Sequence, residues 1–97
     1  MEHKELPFDI DLHKALSDET RVKVFSILLK SGPLNVSEIT KKTGVHIANV
    51  SRHLAQLHRA RLVTKTRNGS ERIYQANIEY LRRSLNELQS ALPSADA

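Results

Sequence analysis

A stretch in the middle of the chain constrains the fold most, because it predicts two helices joined by a tight turn. Asn35 can cap a helix, and Glu38 can reach back to the Asn35 N–H, as in a capping box. One helix is predicted over residues 36–43 and a longer one over 47–60, with Gly44 between them. A short helix, a glycine-containing turn and a second helix are typical of a helix-turn-helix.

Two further helices are predicted before this unit. The first spans about residues 9–16. The second follows Ser17, whose hydroxyl can cap the N–H groups of the first turn, and it ends at Ser31-Gly32-Pro33, since Pro cannot continue a helix. Helical spacing predicts that four apolar side chains of the second helix face the core: Val22, Phe25, Leu28 and Leu29.

A β-hairpin and a last helix are predicted after the unit. Two segments rich in β-forming residues flank residues 68–71 (NGSE), in which Asn68-Gly69 is a strong turn signal because both residues tolerate positive φ. A helix over residues 77–92 follows, and Pro93 ends it. The predicted fold class is therefore mainly α with a small β-hairpin, a winged helix-turn-helix with an extra helix at each end. The single domain spans 1–97, with the helix-turn-helix at 36–60 and the hairpin, or wing, at 62–76.

The charge of the chain is concentrated on this unit. Between Lys41 and Arg72 there are eight Lys or Arg residues and one acid, Glu71. That segment carries +7 against +4 for the whole chain, so the remainder carries −3. Such asymmetry indicates a polyanionic partner, most often nucleic acid. The alternative is a solvated charged face.

The helix at 47–60 has the pattern of a DNA recognition helix. On a helical wheel Ile47, Leu54 and Leu57 fall within about 60° of Val50 and form the core face. The opposite face is small or polar, with two arginines and no acid, which suits entry into the major groove. The predicted DNA contacts are His46, Ala48, Asn49, Ser51, Arg52, His53, Gln56 and Arg59, with Lys41 and Lys42 before the helix and Lys65, Arg67 and Arg72 on the wing.

The histidines do not predict a metal site. Those at 46, 53 and 58 are seven and five residues apart, whereas chelation by one helix needs a spacing of four. His3 and His13 lie outside this helix and could pair across a dimer. The chain has no cysteine, no nucleophile motif, no phosphate loop and no paired carboxylates with a base. We therefore expect no enzyme activity, no metal and no cofactor.

The last helix carries an apolar seam, defined here as Ile78, Leu81, Leu85, Leu88 and Leu92. Their spacing of three and four residues suits packing on another helix, and a second copy of the chain is the expected partner. The alternative is that the seam packs on its own domain.

Taken together, these segments resemble the ArsR/SmtB family of winged-helix repressors. The resemblance rests on residues 15–21 (ALSDETR), residues 50–54 (VSRHL) with Leu57, Leu62-Val63, and Arg67, Gly69 and Tyr74 in the wing. It implies a homodimer that binds an inverted-repeat operator and blocks transcription, often until an inducer such as a metal ion lowers its DNA affinity. It also implies a dimer interface formed by the first helix, including Leu12, and the last helix with its seam.

The chain departs from the family pattern at several positions. Metal-sensing members commonly carry a cysteine pair where this chain has Asn35-Val36-Ser37, and residues 77–92 lack the histidines of the other common metal site. Arg61 stands where a glycine is usual, and His46-Ile47 replaces a more usual Ser-Gln pair. Neither metal site carries over, and the inducer and operator sequence stay open.

The sequence thus predicts a sequence-specific DNA-binding regulator, a homodimeric repressor acting on double-stranded DNA. The alternative is a winged-helix module of a larger assembly that uses its basic face for RNA or a protein and senses no effector. No apolar run approaches the roughly 20 residues of a membrane span, and the first residues lack the apolar core of a signal peptide, so a cytoplasmic location is expected.

Overall fold

A computed structural model describes residues 10–93 of the chain. Its helices are α1 (Ile10–Ala15), α2 (Glu19–Ser31), α3 (Val36–Thr43), α4 (Ile47–Arg59) and α5 (Ile78–Ala91). Its strands are β1 (Leu34–Asn35), β2 (Val63–Asn68) and β3 (Glu71–Ala76). They form one antiparallel sheet in the order β1-β3-β2, in which Leu34 pairs with Tyr74. The predicted fold, mainly helical with a small hairpin, is confirmed, and β1 pairs with the hairpin as the third strand of the sheet. Asp9, the predicted first residue of α1, lies outside the described residues.

The core is aliphatic and lies where α2, α3, α4 and the sheet meet. Its largest fully buried side chains come from every one of these layers: Val24, Leu28, Ile39, Val50, Leu54, Leu57, Leu62 and Val63. These contacts hold α4 against α2 and α3 by one face only. The opposite face of α4 is left in solvent.

The start of α2 differs from the prediction by one residue. The N-cap is Asp18, whose Oδ1 accepts the Arg21 backbone N–H at 2.9 Å, and not Ser17. The Ser17 hydroxyl instead donates to the Lys14 carbonyl at 2.7 Å, closing the end of α1. Both residue types are favourable N-caps, but Ser17 makes its hydrogen bond to the preceding helix, α1.

The buried face of α2 was predicted only in part. Phe25 and Leu28 are buried, but Val22 and Leu29 are 36% and 42% exposed, and Val24 is fully buried instead. Apolar residues occur on several sides of α2, so spacing alone does not select the face that packs.

The joint between β1 and α3 is as predicted. The Asn35 side chain accepts the Glu38 N–H at 2.8 Å, and the Glu38 carboxylate accepts the Asn35 N–H at 2.9 Å. This capping box satisfies two N–H groups that the first turn cannot pair. Gly44 ends α3 at φ 72°, a left-handed conformation that favours glycine.

The turn of the hairpin lies one residue later than expected. Asn68 pairs with Glu71, so the two-residue loop is Gly69-Ser70 rather than Asn68-Gly69. Gly69 has φ 65° at the first loop position, where a turn of type II′ requires glycine.

The connection from α4 to β2 puts a side chain into strained backbone. Arg61 has φ 67°, and it is the one non-glycine residue with positive φ between Ile10 and Pro93. Its N–H donates to the His58 carbonyl, while the Leu62 N–H donates to the Leu57 carbonyl at 2.9 Å. These are the two hydrogen bonds of a Schellman motif, whose left-handed position usually holds glycine.

Replacing Arg61 by glycine is expected to raise the free energy of unfolding by about 1 kcal/mol. The change removes the clash of Cβ in the left-handed region, and the greater freedom of glycine in the unfolded chain offsets part of the gain. Chemical denaturation at a fixed protein concentration measures the change in the free energy of unfolding. Arg61→Ala is the matched control, since it removes the same charge but keeps Cβ. Equal stability of the two variants would contradict the strain argument.

Helix α5 projects from the body of the domain. None of its residues is buried, and the described chain measures 51 Å along its longest axis against 23 and 22 Å across. None of the described helices is both long and apolar enough to cross a membrane.

Candidate nucleic-acid interface

The outer face of α4 forms the centre of the candidate site. Ala48, Asn49, Ser51, Arg52 and Arg59 are all exposed, while Val50, Leu54 and Leu57 on the other side are fully buried. The first turn of α4 contains no acid. The helix therefore presents amide, hydroxyl and guanidinium donors, and its small side chains allow a partner to approach closely.

His46 and Ile47 begin α4. His46 is the N-cap, and its Nδ1 accepts the Ala48 N–H at 3.2 Å, which leaves the exposed ring at the tip of the helix. Ile47, predicted to face the core, is 47% exposed. Val45, two residues earlier, packs against the core instead. The prediction for Ile47 is therefore wrong.

His53 does not belong to the exposed surface. It is 4% exposed, and its Nδ1 is buried with no hydrogen-bond partner among the described residues. Burial lowers the pKa of His53 below its ordinary value of 6.5; the Asp18 carboxylate opposes this shift, while Arg21 and Arg52 add to it. A neutral, buried imidazole cannot reach a phosphate or a base, so its predicted DNA contact is corrected.

The lowered pKa of His53 predicts a loss of stability in mild acid. The unfolded chain binds the proton more readily than the folded protein, so stability is complete above about pH 6.5 and falls below it, toward the folded pKa. Asp18, whose pKa is lowered chiefly by the Arg21 N–H, loses its contribution only below its ordinary value of 3.8, so the two effects separate. Denaturation curves between pH 5 and 8 measure the slope.

Two variants on α4 isolate this effect. His53→Gln is expected to flatten the decline below pH 6.5, whereas His58→Gln, on an exposed position of the same helix, is expected to keep it. A decline that persists unchanged in His53→Gln would assign it to other groups.

A groove joins α4 to the wing. The groove has a volume of about 440 Å³, and its lining residues are up to 38 positions apart in the sequence. They are Val36, Ser51, Ala55, His58, Arg59, Lys65, Arg72 and Tyr74. The fold thus brings the predicted contacts Ser51, Arg59, Lys65 and Arg72 to one concave surface. His58, to which the sequence assigned no role, lines it too. The sequence could have indicated this position, because His58 lies two helical turns after Ser51 and therefore on the same side of α4.

The wing concentrates positive charge at its tip. Arg67 and Arg72 are directly opposite each other across the β2–β3 ladder, and both are exposed. Like charges in that position destabilise a hairpin. The neighbouring Glu71 carboxylate accepts a hydrogen bond from Asn35 Nδ2 at 2.8 Å. A polyanion laid against the wing would relieve the repulsion between the two arginines.

The remaining predicted contacts lie at the edges. Lys41 and Lys42 are exposed on the last turn of α3. Gln56 is half-buried, and its Oε1 is buried without a partner among the described residues. It lines a second crevice with Lys14 and Arg21, on the α1 side of the domain, and this crevice shares only Arg59 with the groove. That position does not support its predicted DNA contact.

The seam of α5 lies mostly in solvent. Ile78, Leu85, Leu88 and Leu92 are 43%, 52%, 37% and 60% exposed. Leu81 and the predicted interface residue Leu12 are half-buried and pack against the core. The alternative that the whole seam packs on its own domain is therefore not what the structure shows.

Metal-binding groups do not converge within the described chain. Among residues 10–93, no three His, Cys, Asp or Glu side chains lie close enough together to hold an ion. At 35–37, where metal-sensing members of the family that the chain resembles commonly carry a cysteine pair, Asn35 forms the capping box of α3. His3 lies outside the described residues.

Known proteins with related sequences are transcriptional regulators. Residues 18–65 match the model of the bacterial regulatory protein, arsR family. The chain is 34% identical over 73 residues, 75% of its length, to the HTH-type transcriptional regulator KmtR of Mycobacterium tuberculosis, and it spans 55% of that protein. It is 29% identical to the transcriptional repressor SdpR of Bacillus subtilis over 86 residues, which cover 89% of this chain and 94% of SdpR. These names agree with the prediction that the chain is not an enzyme.

Solved structures show the same architecture. One is the homodimeric winged helix-turn-helix DNA-binding domain of a possible ArsR-family transcriptional regulator from Mycobacterium bovis. It superposes with a TM-score of 0.70 at 26% sequence identity, covering 84% of this chain and 74% of that one. The prediction of a winged helix-turn-helix is confirmed.

Proposed function

Because the chain belongs to the ArsR family of bacterial regulatory proteins, we propose that it is a homodimeric repressor that binds an inverted-repeat operator. The observation that carries the proposal is the single concave surface formed by the outer face of α4 and the wing. Helix α4 enters the major groove of DNA, where Asn49, Ser51 and Arg52 read base edges. Lys65, Arg67 and Arg72 contact the phosphates beside it.

The exposed seam of α5 supports the homodimer. Four aliphatic side chains in one stripe would gain by burial against a second copy, and the structural relative from Mycobacterium bovis is homodimeric. A twofold dimer presents two copies of α4 to DNA, so the operator is an inverted repeat. Half-sites about 34–36 Å apart would place both helices on one face of the duplex. The name of SdpR supports repression as the outcome.

Selection of DNA from a random pool by the purified protein tests the proposal. The expected product is an inverted repeat, bound by two chains as measured by light scattering of the complex. Placed at a promoter, that repeat is expected to lower reporter expression when the protein is present. A stable monomer that enriches no sequence at low salt would contradict the proposal and favour a module that binds RNA or protein.

A further inference from the structure

We infer that Ile47 packs against the C5-methyl group of a thymine in each operator half-site and so helps to choose the DNA sequence. The inference rests on the proposed function and assigns a specificity role to a residue that the sequence pattern had placed in the core. It begins from the position of this side chain at the tip of α4.

Ile47 is apolar, yet it is not needed to close the core. It is 47% exposed as the first residue of α4, whereas Val45 packs against the core on one side and Val50 is fully buried on the other. A lone exposed isoleucine is common on protein surfaces. Ile47 differs from such a residue because it lies beside three predicted DNA contacts, His46, Ala48 and Asn49, which are also exposed at the start of α4.

The first turn of α4 is also the part of the helix that would reach farthest into DNA. In helix-turn-helix proteins the N-terminal residues of the second helix contact base edges. The first turn of α4 has no acid that would repel the phosphates on either side of the groove.

The major groove offers an aliphatic side chain one apolar partner, the thymine methyl group. Against the polar edge of a G·C pair, Ile47 would displace water from donors and acceptors without replacing their hydrogen bonds, which costs binding energy. Ile47 therefore favours thymine by contact and disfavours the other bases by desolvation. The polar neighbours Asn49 and Arg52 read adjacent positions through hydrogen bonds.

Uracil provides the test, because deoxyuridine differs from thymidine only by the methyl group at C5. Each thymine of the selected half-site is replaced in turn by deoxyuridine, and the dissociation constant is measured at one salt concentration. At the thymine that Ile47 contacts, we expect affinity to fall about fourfold, the value of one buried methyl group. Replacing this thymine in both half-sites is expected to lower the affinity about 15-fold.

Variants of the protein assign the methyl effect to Ile47. In Ile47→Ala and Ile47→Gln the ratio of affinities for thymine and uracil DNA at that position is expected to approach one. Leu29→Ala, which shortens an exposed aliphatic residue on α2, is expected to keep the native ratio. Since Ile47 is half-exposed at a helix end, neither variant is expected to unfold.

Three results would overturn the inference. If native protein binds its selected operator but is indifferent to uracil at every thymine, Ile47 reads no methyl group and the proposed function stands. The same holds if Ile47→Ala keeps the full native ratio. If no DNA sequence is selected at all, the proposed function and this inference fall together.

Discussion

Replacing Leu85 and Leu88 by glutamate is expected to separate the dimer and to weaken operator binding by about 10³-fold or more. Both leucines lie in the exposed seam of α5, and a carboxylate there cannot be buried against a second chain without a large desolvation cost. A monomer holds one half-site, so its affinity approaches that for random DNA, which is at least about 10³-fold weaker than specific binding. Light scattering and gel shifts on the selected operator measure the two effects.

The matched control adds the same charges to α5 away from the seam. Asn86→Glu with Ser90→Glu places two carboxylates on exposed positions of the same helix, so any repulsion of DNA is similar. This control is expected to stay dimeric and to bind the operator nearly as well as native protein. A Leu85/Leu88 variant that remains dimeric, or that binds as the control does, would remove the seam from the interface.

Replacing Arg52 or Asn49 by alanine is expected to cost about 1–3 kcal/mol of binding to the selected operator, with much less loss on random DNA. Both side chains are exposed on the outer face of α4, where a bidentate contact to a base edge would be lost with the side chain. Titrations on the two kinds of DNA at the same salt concentration separate the reading of bases from attraction to phosphates.

Lys65→Ala and Arg67→Ala are the comparison, because they remove charge from the wing. They are expected to weaken operator and random DNA alike and to reduce the slope of log affinity against log salt by about one each. If Arg52→Ala lowered affinity for both DNAs equally, its role would be that of a phosphate contact.

Much of the fold could be predicted because its signals are local. The capping box of Asn35 and Glu38, the end of α3 at Gly44 and the order of the elements depend on residues a few positions apart. The errors arose where two local solutions compete. Ser17 and Asp18 are both good caps, and the wing can turn at Asn68-Gly69 or at Gly69-Ser70.

The candidate site shows a second kind of error. The groove needs His58 from α4 and Lys65 and Arg72 from the wing, and the distance between helix and hairpin is set by the core beneath them. Charge counting predicted the basic surface, but it could not predict that Gln56 turns toward α1.

Ile47 and His53 show most clearly what the sequence determines and what the tertiary structure determines. On the helical wheel of α4 they lie about 60° to either side of Val50, so periodicity alone does not distinguish them. Their side-chain types led to the predictions of Ile47 in the core and His53 on the DNA. In the structure Ile47 is 47% exposed and His53 is 4% exposed. The sequence alone determined that α4 is a helix and which direction faces outward, because periodicity fixes angles about the helix axis. Only the tertiary structure decided which flank is covered, because that depends on how far the neighbouring helices extend: α2 begins beside His53, near Asp18 and Arg21, while Ile47 lies at the open tip.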